Sequence, residues 1–205
     1  LMAGNLSPDM TFDDMLALRT EMKEKGIGVY AFTGPFHING AEPGDTLEVR
    51  IRRIVPGKYA VTHIYPDHMN IGGLPEGFSK GFLKPLCLSE DRKTIEFAPG
   101  VTLRTRPFLG TMAVAPRPGE ELPPAVPGYF AGNMDNKELV EGTTLYIPVN
   151  VRGALFMAAD AHAVQGDGEV SIAAAETYFE EAELQFVVRK DMKLHYPLAE
   201  TPDHW

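Results

Sequence analysis

The stretch that decides the fold class reads Gly40-Ala-Glu-Pro-Gly-Asp-Thr-Leu-Glu-Val-Arg-Ile51. A Pro-Gly pair followed by Asp45 is typical of a turn, because proline fixes one backbone angle and the aspartate can hydrogen-bond the nearby backbone. Beyond the turn, Leu47, Val49 and Ile51 alternate with polar residues, which predicts a strand with one buried face. This stretch is therefore first a folding element of a β protein.

Similar short apolar runs, separated by glycine and proline, recur along the chain. The 20 glycines and 17 prolines are scattered rather than concentrated in a linker. We predict strands over 46–54, 59–65, 94–97, 101–105, 111–114, 143–151, 154–159, 170–175 and 182–188. A helix is predicted between Thr11 and Gly26, and a second, short helix after Gly72. The spacing predicts a mainly β protein with a β-sandwich or barrel-like architecture and a few short helices.

The composition is that of a globular chain with a sizeable core. The sequence has 205 residues, of which 44% are hydrophobic and 23% charged. The formal net charge is −9 and the isoelectric point is about 5.1. Nucleic acids and anionic membranes attract clustered lysine and arginine, so this balance predicts neither as a partner and favours a small neutral substrate.

The single cysteine, Cys87, excludes an intrachain disulfide and agrees with a reducing compartment. Its leucine neighbours predict a buried, unreactive thiol. No run approaches the ~18 consecutive apolar residues of a membrane-spanning helix. The first residues also lack the layout of a signal peptide. We therefore predict a cytoplasmic protein.

The stretch Ala158-Ala-Asp-Ala-His-Ala-Val-Gln-Gly-Asp-Gly-Glu-Val170 concentrates polar side chains between apolar runs. Those able to bind a metal or to form hydrogen bonds are Asp160, His162, Gln165, Asp167 and Glu169. Alternation along a strand places Asp160 and His162 on one face. The glycines that follow permit a reversal, which returns Glu169 toward them at the start of a second strand. Such a hairpin would form a three-ligand divalent metal site with room for a water, whereas the same residue types also populate ordinary solvated or calcium-binding turns.

A second polar stretch, Gly128-Tyr-Phe-Ala-Gly-Asn-Met-Asp-Asn-Lys-Glu-Leu139, offers groups that recognise an amide. In an extended segment Asn133 and Asp135 share a face. A carboxylate can accept a hydrogen bond from a substrate NH2 group, and an asparagine can donate to or accept from the substrate. The alternative is a capped turn with solvated side chains.

The absence of several known motifs argues against other enzyme classes. The sequence has no Gly-x-Ser-x-Gly elbow, no P-loop and no dinucleotide fingerprint, which argues against a serine hydrolase of that type and against a nucleotide enzyme. A metal-dependent phosphoesterase would need cationic side chains beside 158–170, and none flank that stretch.

Several blocks, in this order, resemble the acetamidase/formamidase family: Thr33-Gly-Pro, Gly40-Ala-Glu-Pro-Gly-Asp, Pro107-Phe-Leu-Gly-Thr-Met-Ala-Val-Ala-Pro116, Gly132-Asn-Met-Asp135 and Asp160-Ala-His-Ala-Val-Gln-Gly-Asp-Gly-Glu169. They lie within 33–54 and 107–177. The resemblance implies a β-rich fold, hydrolysis of short aliphatic amides such as formamide and acetamide to a carboxylate and ammonia, and association into a homo-oligomer. Family chains are longer, with further acidic groups and a histidine upstream, so the resemblance also implies a fragment or a divergent member. We treat 1–205 as one amidase-like domain, in which the unmatched stretch 54–106 is an inserted β-rich subdomain.

Amide hydrolysis requires a strong nucleophile and stabilisation of the tetrahedral oxyanion, and a zinc ion helps with both. We therefore predict Asp160, His162 and Glu169 as ligands of a divalent metal. The histidine favours Zn²⁺, and the carboxylates leave Ca²⁺ or Mg²⁺ as alternatives.

The remaining polar residues receive the catalytic and binding roles. Asp167 is predicted as the general base, with an exchange of roles with Glu169 left open, and Asp135 as a catalytic group that holds the amide. Asn133 and Gln165 are predicted to bind the substrate. The alternative function is a catalytically inactive, metal-stabilised β module that binds a small ligand or a partner, since a fold alone does not imply catalysis.

Overall fold

The structure is a computed structural model that describes residues 17, 20, 21, 32–70, 72–73 and 76–204. Strands dominate the described residues, which confirms the prediction of a mainly β protein. The strands are β1 (Thr33–Phe36), β2 (Thr46–Ile64), β3 (Phe82–Cys87), β4 (Thr94–Ala98), β5 (Val101–Arg104), β6 (Phe108–Ala113), β7 (Ala131–Asn133), β8 (Thr144–Pro148), β9 (Phe156–Val164), β10 (Ala175–Arg189) and β11 (Leu198–Glu200). A 3-10 turn, Asp67–Met69, follows β2.

Most of these strands form one antiparallel sheet in the order β11-β8-β2-β10-β9-β6-β7, with β1 added to β9 and β3 added to β2. The sheet curls into a half-barrel. Strands β4 and β5 form a separate hairpin. The curl turns one face of the sheet inward, and the alternating apolar residues collect on that face.

Strand β2 organises the sheet. It pairs with β10 from Thr46 to Val61, and its other edge takes β8 at one end and β3 at the other. The prediction of two strands broken near Pro56 was wrong, because the strand continues through this residue. Pro56 lies opposite Phe179, where register shifts in β10 absorb the irregularity.

The core lies on the side of the sheet that the alternation predicts. Leu47, Val49 and Ile51 are all buried and pack in the main hydrophobic cluster. Phe156 and Met112, from the centre of the sheet, are fully buried in the same cluster. A smaller cluster forms around Ile95, between the β4–β5 hairpin and β3. Burial of these side chains is the main stabilising contribution to the fold.

The predicted strand over 170–175 was wrong except at its last residue. The backbone turns there: the Ile172 amide donates to the Glu169 carbonyl, and Ile172 has a positive φ of 58°. Val170 and Ile172 are exposed, so the apolar alternation did not report a buried face. Strand β10 begins only at Ala175.

Two other expectations differ from the structure. Strand β8 ends at Pro148, earlier than predicted, because the chain turns after it. Cys87 is exposed rather than buried, since it lies on the outer face of β3 between the buried Leu86 and Leu88. Alternation places the neighbours of a buried strand residue on the opposite face.

Some predictions are not decided by the described residues. The helix between Thr11 and Gly26 lies almost entirely outside them, and so does most of the segment after Gly72. The region 54–106 begins inside β2 and includes β3 and the β4–β5 hairpin; its status as a subdomain stays a prediction. In the part of the chain that is described, no helix has the length and apolar character to cross a membrane.

Truncation of the core at β2 should destabilise the fold. Leu47 is 0% exposed, so Leu47→Ala should lower the free energy of unfolding by about 2–5 kcal/mol through lost burial and a residual cavity. The measurement is guanidinium denaturation followed by circular dichroism. Leu122→Ala is the matched control, since Leu122 is 40% exposed and should lose less than about 1 kcal/mol. Equal losses would contradict this placement of the core.

Candidate metal centre

The centre of the site is the imidazole of His162 in β9. Its Nε2 atom lies 3.3 Å from Asp160 Oδ1 and 3.3 Å from Glu176 Oε2. His162 is only 1% exposed, and the Phe108 ring packs edge-on against it with 4.9 Å between centroids. Asp160 is two residues away on the same strand, and Glu176 is the register partner of His162 on β10. Adjacent strands thus hold the imidazole between two carboxylates.

A glycine on the neighbouring strand makes room for these acidic groups. The register of β6 and β9 pairs Leu109 with Ala161 and Thr111 with Ala159, so Gly110 lies across from Asp160. A Cβ atom at Gly110 would lie 2.5 Å from Asp160 Oδ2 and 2.6 Å from Asp135 Oδ1. Only a residue without a side chain lets both carboxylates converge at this point.

Asp135 reaches the cluster from the loop after β7. Its backbone amide donates to the Gly110 carbonyl at 3.1 Å, and Asn133 Nδ2 donates to Asp135 Oδ2 at 2.6 Å. The Thr111 hydroxyl donates to Asn133 Oδ1. Both ends of the Asn133 amide are therefore engaged in holding Asp135, although Asn133 was predicted to bind the substrate.

Gln165 and Glu169 lie on the segment that follows β9. Gln165 Nε2 donates to the Asp135 backbone carbonyl at 2.9 Å, which fixes the orientation of the amide. Four side-chain atoms of the site are buried and have no hydrogen-bond partner among the described residues: Gln165 Oε1, Glu169 Oε1, Asp135 Oδ1 and His162 Nδ1. Buried polar atoms are nearly always paired with protein, water or a bound group. Three of these atoms belong to Asp135, His162 and Glu169, which interact with one another electrostatically, and this indicates a site built for a ligand.

The carboxylates and the imidazole form two overlapping groups that could each hold a metal ion. One group is Asp135, Asp160 and His162, and the other is His162, Glu169 and Glu176. Within each group the ligand atoms lie within 4.8 Å of one another. The predicted ligands Asp160, His162 and Glu169 are thus all present at the site, although Asp160 and Glu169 fall in different groups that share His162.

The electrostatics reflect crowding of acidic groups in a half-buried place. Burial, together with the Asp160 carboxylate, raises the pKa of Asp135 to about 6. Burial and the charges of Asp135, Glu176 and Asp160 raise the pKa of Glu169 to about 7. For His162, burial opposes the charged form, but the Asp160 and Glu176 carboxylates outweigh burial and raise its pKa to about 11. A bound cation would compensate the same excess of negative charge.

Asp167, predicted as the general base, lies outside both of these groups. Its side chain is 94% exposed and its Oδ1 atom lies 2.6 Å from Lys137 Nζ. The hydrogen bond to Lys137 and the lysine charge lower the pKa of Asp167. A solvated carboxylate paired with a lysine is a weak base.

Glu176 is the member of the site that sequence reasoning missed. It lies beyond the Gly-Asp-Gly turn and belongs to no local motif with His162. Only the pairing of β10 with β9 brings it to the imidazole, and its Oε1 accepts a hydrogen bond from the Ala174 amide at 3.0 Å. Residue spacing along the chain could not have identified Glu176. A prediction that β9 pairs with β10 would have been needed.

The fold and the site together define a β half-barrel with a buried carboxylate–histidine cluster that could hold a metal ion. The model of the Acetamidase/Formamidase family matches residues 3–125 and 122–202. The chain belongs to this family, and the resemblance inferred from the sequence blocks is confirmed.

Individual relatives agree with this assignment. A formamidase homologue from Schizosaccharomyces pombe is 28% identical, over 72% of this chain and 48% of its own length. The crystal structure of a predicted acetamidase/formamidase from Thermoanaerobacter tengcongensis has a TM-score of 0.76 and 31% identity, over 83% of this chain and 55% of that protein. An acetamidase from Bacillus halodurans has a TM-score of 0.76 and 34% identity with the same coverage. The chain therefore spans about half the length of the relatives it matches.

Substitution of Gly110 tests the packing of the cluster. Gly110→Ala places a methyl group against the Asp160 and Asp135 carboxylates, so we expect a loss of about 1–3 kcal/mol in the free energy of unfolding. Gly168→Ala is the control, because a Cβ there meets nothing within 4 Å. Chemical denaturation of both variants provides the measurement, and a loss no larger for Gly110→Ala than for Gly168→Ala would contradict the geometry.

The raised pKa values predict how stability depends on pH in the metal-free protein. A carboxyl whose pKa rises from 4.5 to about 7 on folding binds its proton more tightly in the folded state, so its contribution to stability is lost as pH rises through that interval. The free energy of unfolding in the presence of a chelator should therefore fall between pH 5 and 8. Glu169→Gln should reduce this fall by on the order of 2 kcal/mol.

The matched control for the pH experiment is Glu121→Gln, since Glu121 is exposed and lies outside both carboxylate–histidine groups. It should leave the slope unchanged. A wild-type stability that is flat or rises between pH 5 and 8 would show that Glu169 is not desolvated as the structure indicates.

Proposed function

We propose that this chain carries a metal-assisted site for hydrolysis of short amides such as formamide and acetamide to a carboxylate and ammonia. The observation that carries the proposal is the cluster of buried, unpartnered side-chain atoms around His162 in a member of this family. Hydrolytic chemistry needs a charge-stabilising group, a base and an amide-binding group in one place. Each of these finds a candidate among the clustered residues.

Asp135, Asp160 and His162 are the residues that would hold the cation. Asp135 Oδ1 has no hydrogen-bond partner among the described residues and is free to accept it, and a set of oxygen and imidazole ligands suits zinc. When bound, the cation supplies Lewis acidity that polarises the amide carbonyl and makes water easier to deprotonate. Because a ligating imidazole must be neutral, binding would displace the proton that the surrounding carboxylates keep on His162.

Gln165 is the residue best placed to recognise the amide. Its Nε2 group is held by the Asp135 carbonyl, so its Oε1 atom is oriented and available to accept a hydrogen bond from a substrate NH2 group. Asn133 has an indirect role in this proposal, because its side chain holds the Asp135 carboxylate in place. Substrate binding and ligand orientation are thus divided between these two amides.

Glu169 is the proposed general base. Its pKa of about 7 matches the optimum for proton transfer near neutral pH, and its Oε1 atom is buried without a partner among the described residues. The oxygen of a water adds to the amide carbonyl carbon while one water proton passes to Glu169. The same proton then moves to the departing nitrogen as the C–N bond breaks, which releases ammonia and leaves the carboxylic acid to ionise.

A homo-oligomeric state and a cytoplasmic location belong to the same proposal and stay predictions. The first comes from the family resemblance, and the second rests on cysteine usage.

The proposed activity predicts ammonia release that depends on metal and on His162. Formamide and acetamide should be hydrolysed by the zinc-loaded protein, a chelator should abolish the activity, and zinc should restore it. His162→Ala should lose more than about 100-fold in kcat/KM because the cation loses a ligand. His68→Ala is the matched control, since His68 is exposed and lies outside the cluster.

Two results would contradict the proposal. One is amidase activity that survives chelation or the His162→Ala change with the metal content intact. The other is a zinc-loaded wild-type protein that releases no ammonia, which would favour the inactive, metal-stabilised binding module.

A further inference from the structure

Strands β9 and β10 are paired over a very short distance. Their register partners are Ala175 with Val164 and Glu176 with His162. Beyond this point β10 continues along β2, while the first half of β9 pairs with β1 and β6. The two strands therefore diverge from Glu176 onward, and the wedge between them contains a cavity of about 500 Å³.

The cavity has a polar end and apolar walls. Asp160 and Glu176, the carboxylates that contact His162, lie at its narrow end. The walls are apolar side chains: Leu109, Phe156, Ala158, Phe179, Leu184 and Phe186. The rings of Phe156 and Phe186 meet farther along the wedge, with 4.9 Å between centroids. The cavity is thus an aromatic and aliphatic chamber that adjoins the carboxylate–histidine cluster at Asp160 and Glu176.

Three of the other polar side chains of the lining are already engaged. The Thr177 hydroxyl donates to the Tyr59 carbonyl, Glu180 pairs with Arg92 and Glu181 pairs with Arg53. The walls therefore offer few free partners for a polar ligand. The carboxylates of the lining disfavour an anionic ligand.

The size of the cavity does not match the smallest amides. Formamide carries only a hydrogen on its carbonyl carbon, and acetamide only a methyl group. Cavities of roughly 300–1,000 Å³ hold much larger ligands, and an apolar wall gains free energy with each CH2 group that it buries. Resting on the proposed amidase function, we infer that this cavity is an acyl pocket, and that the chain prefers neutral amides with aliphatic or aromatic acyl groups of several carbons over formamide and acetamide.

The test uses the zinc-loaded protein and a series of amides, acetamide, butyramide and benzamide, with binding measured by calorimetry. Affinity should rise along the series, and benzamide should bind at least about tenfold tighter than acetamide, since a single methylene in an apolar pocket gives roughly 10- to 200-fold discrimination. Ala158→Leu fills the pocket and should remove most of this preference. Ala125→Leu, at an exposed alanine, is the matched control and should retain it.

Ammonia release from the same amides separates the two proposals. Hydrolysis of acetamide combined with flat or falling affinity along the series would overturn the acyl pocket and leave the amidase function standing. Absence of ammonia release from every amide would overturn the amidase function, while calorimetry would still decide whether the cavity takes apolar amides. A preference for benzamide that Ala158→Leu leaves intact would place the acyl group elsewhere and overturn the inference.

Discussion

The contact of His162 with Asp160 on one side and Glu176 on the other is the interaction on which the site depends. It joins β9 to β10 at the place where these strands last pair. On one side of this contact lie the carboxylates that can hold a cation, and on the other lies the apolar wedge. A change in the register of β10 by one residue would move Glu176 to the opposite face and separate the two features.

Burial explains the direction of the carboxyl pKa shifts in the carboxylate–histidine cluster. Carboxylates removed from water repel one another and favour the protonated form, which is the direction of the pKa shifts at Asp135 and Glu169. The imidazolium of His162 compensates only part of this charge. A bound cation would supply the remainder, and the buried atoms without a partner among the described residues are those that a cation or a substrate would engage. The metal-free cluster is therefore held together against its own repulsion by the surrounding sheet.

The sequence predicted those parts of the fold and site that depend on local periodicity. Alternation identified the buried face of β2 at Leu47 and the common face of Asp160 and His162. It failed at Ile172, where apolar residues alternate in an exposed turn. It also could not find Glu176, because the register between β9 and β10 is a long-range property of the sheet. The spacing of acidic residues also does not encode burial, by which Glu169 differs from the exposed Asp167.

The divergence of β9 and β10 leaves one edge of each strand facing the wedge. Strand β1 takes the place of β10 beside β9 at Ala158 and Phe156, while β2 and β6 pair with the far edges of β10 and β9. Strand β1 therefore satisfies backbone groups of β9 that the opening would otherwise leave unpaired. Because the opening begins at Glu176, the apolar volume starts beside Asp160 and Glu176, the two carboxylates that contact His162. The sheet topology itself thus places the proposed acyl pocket next to the carboxylate–histidine cluster.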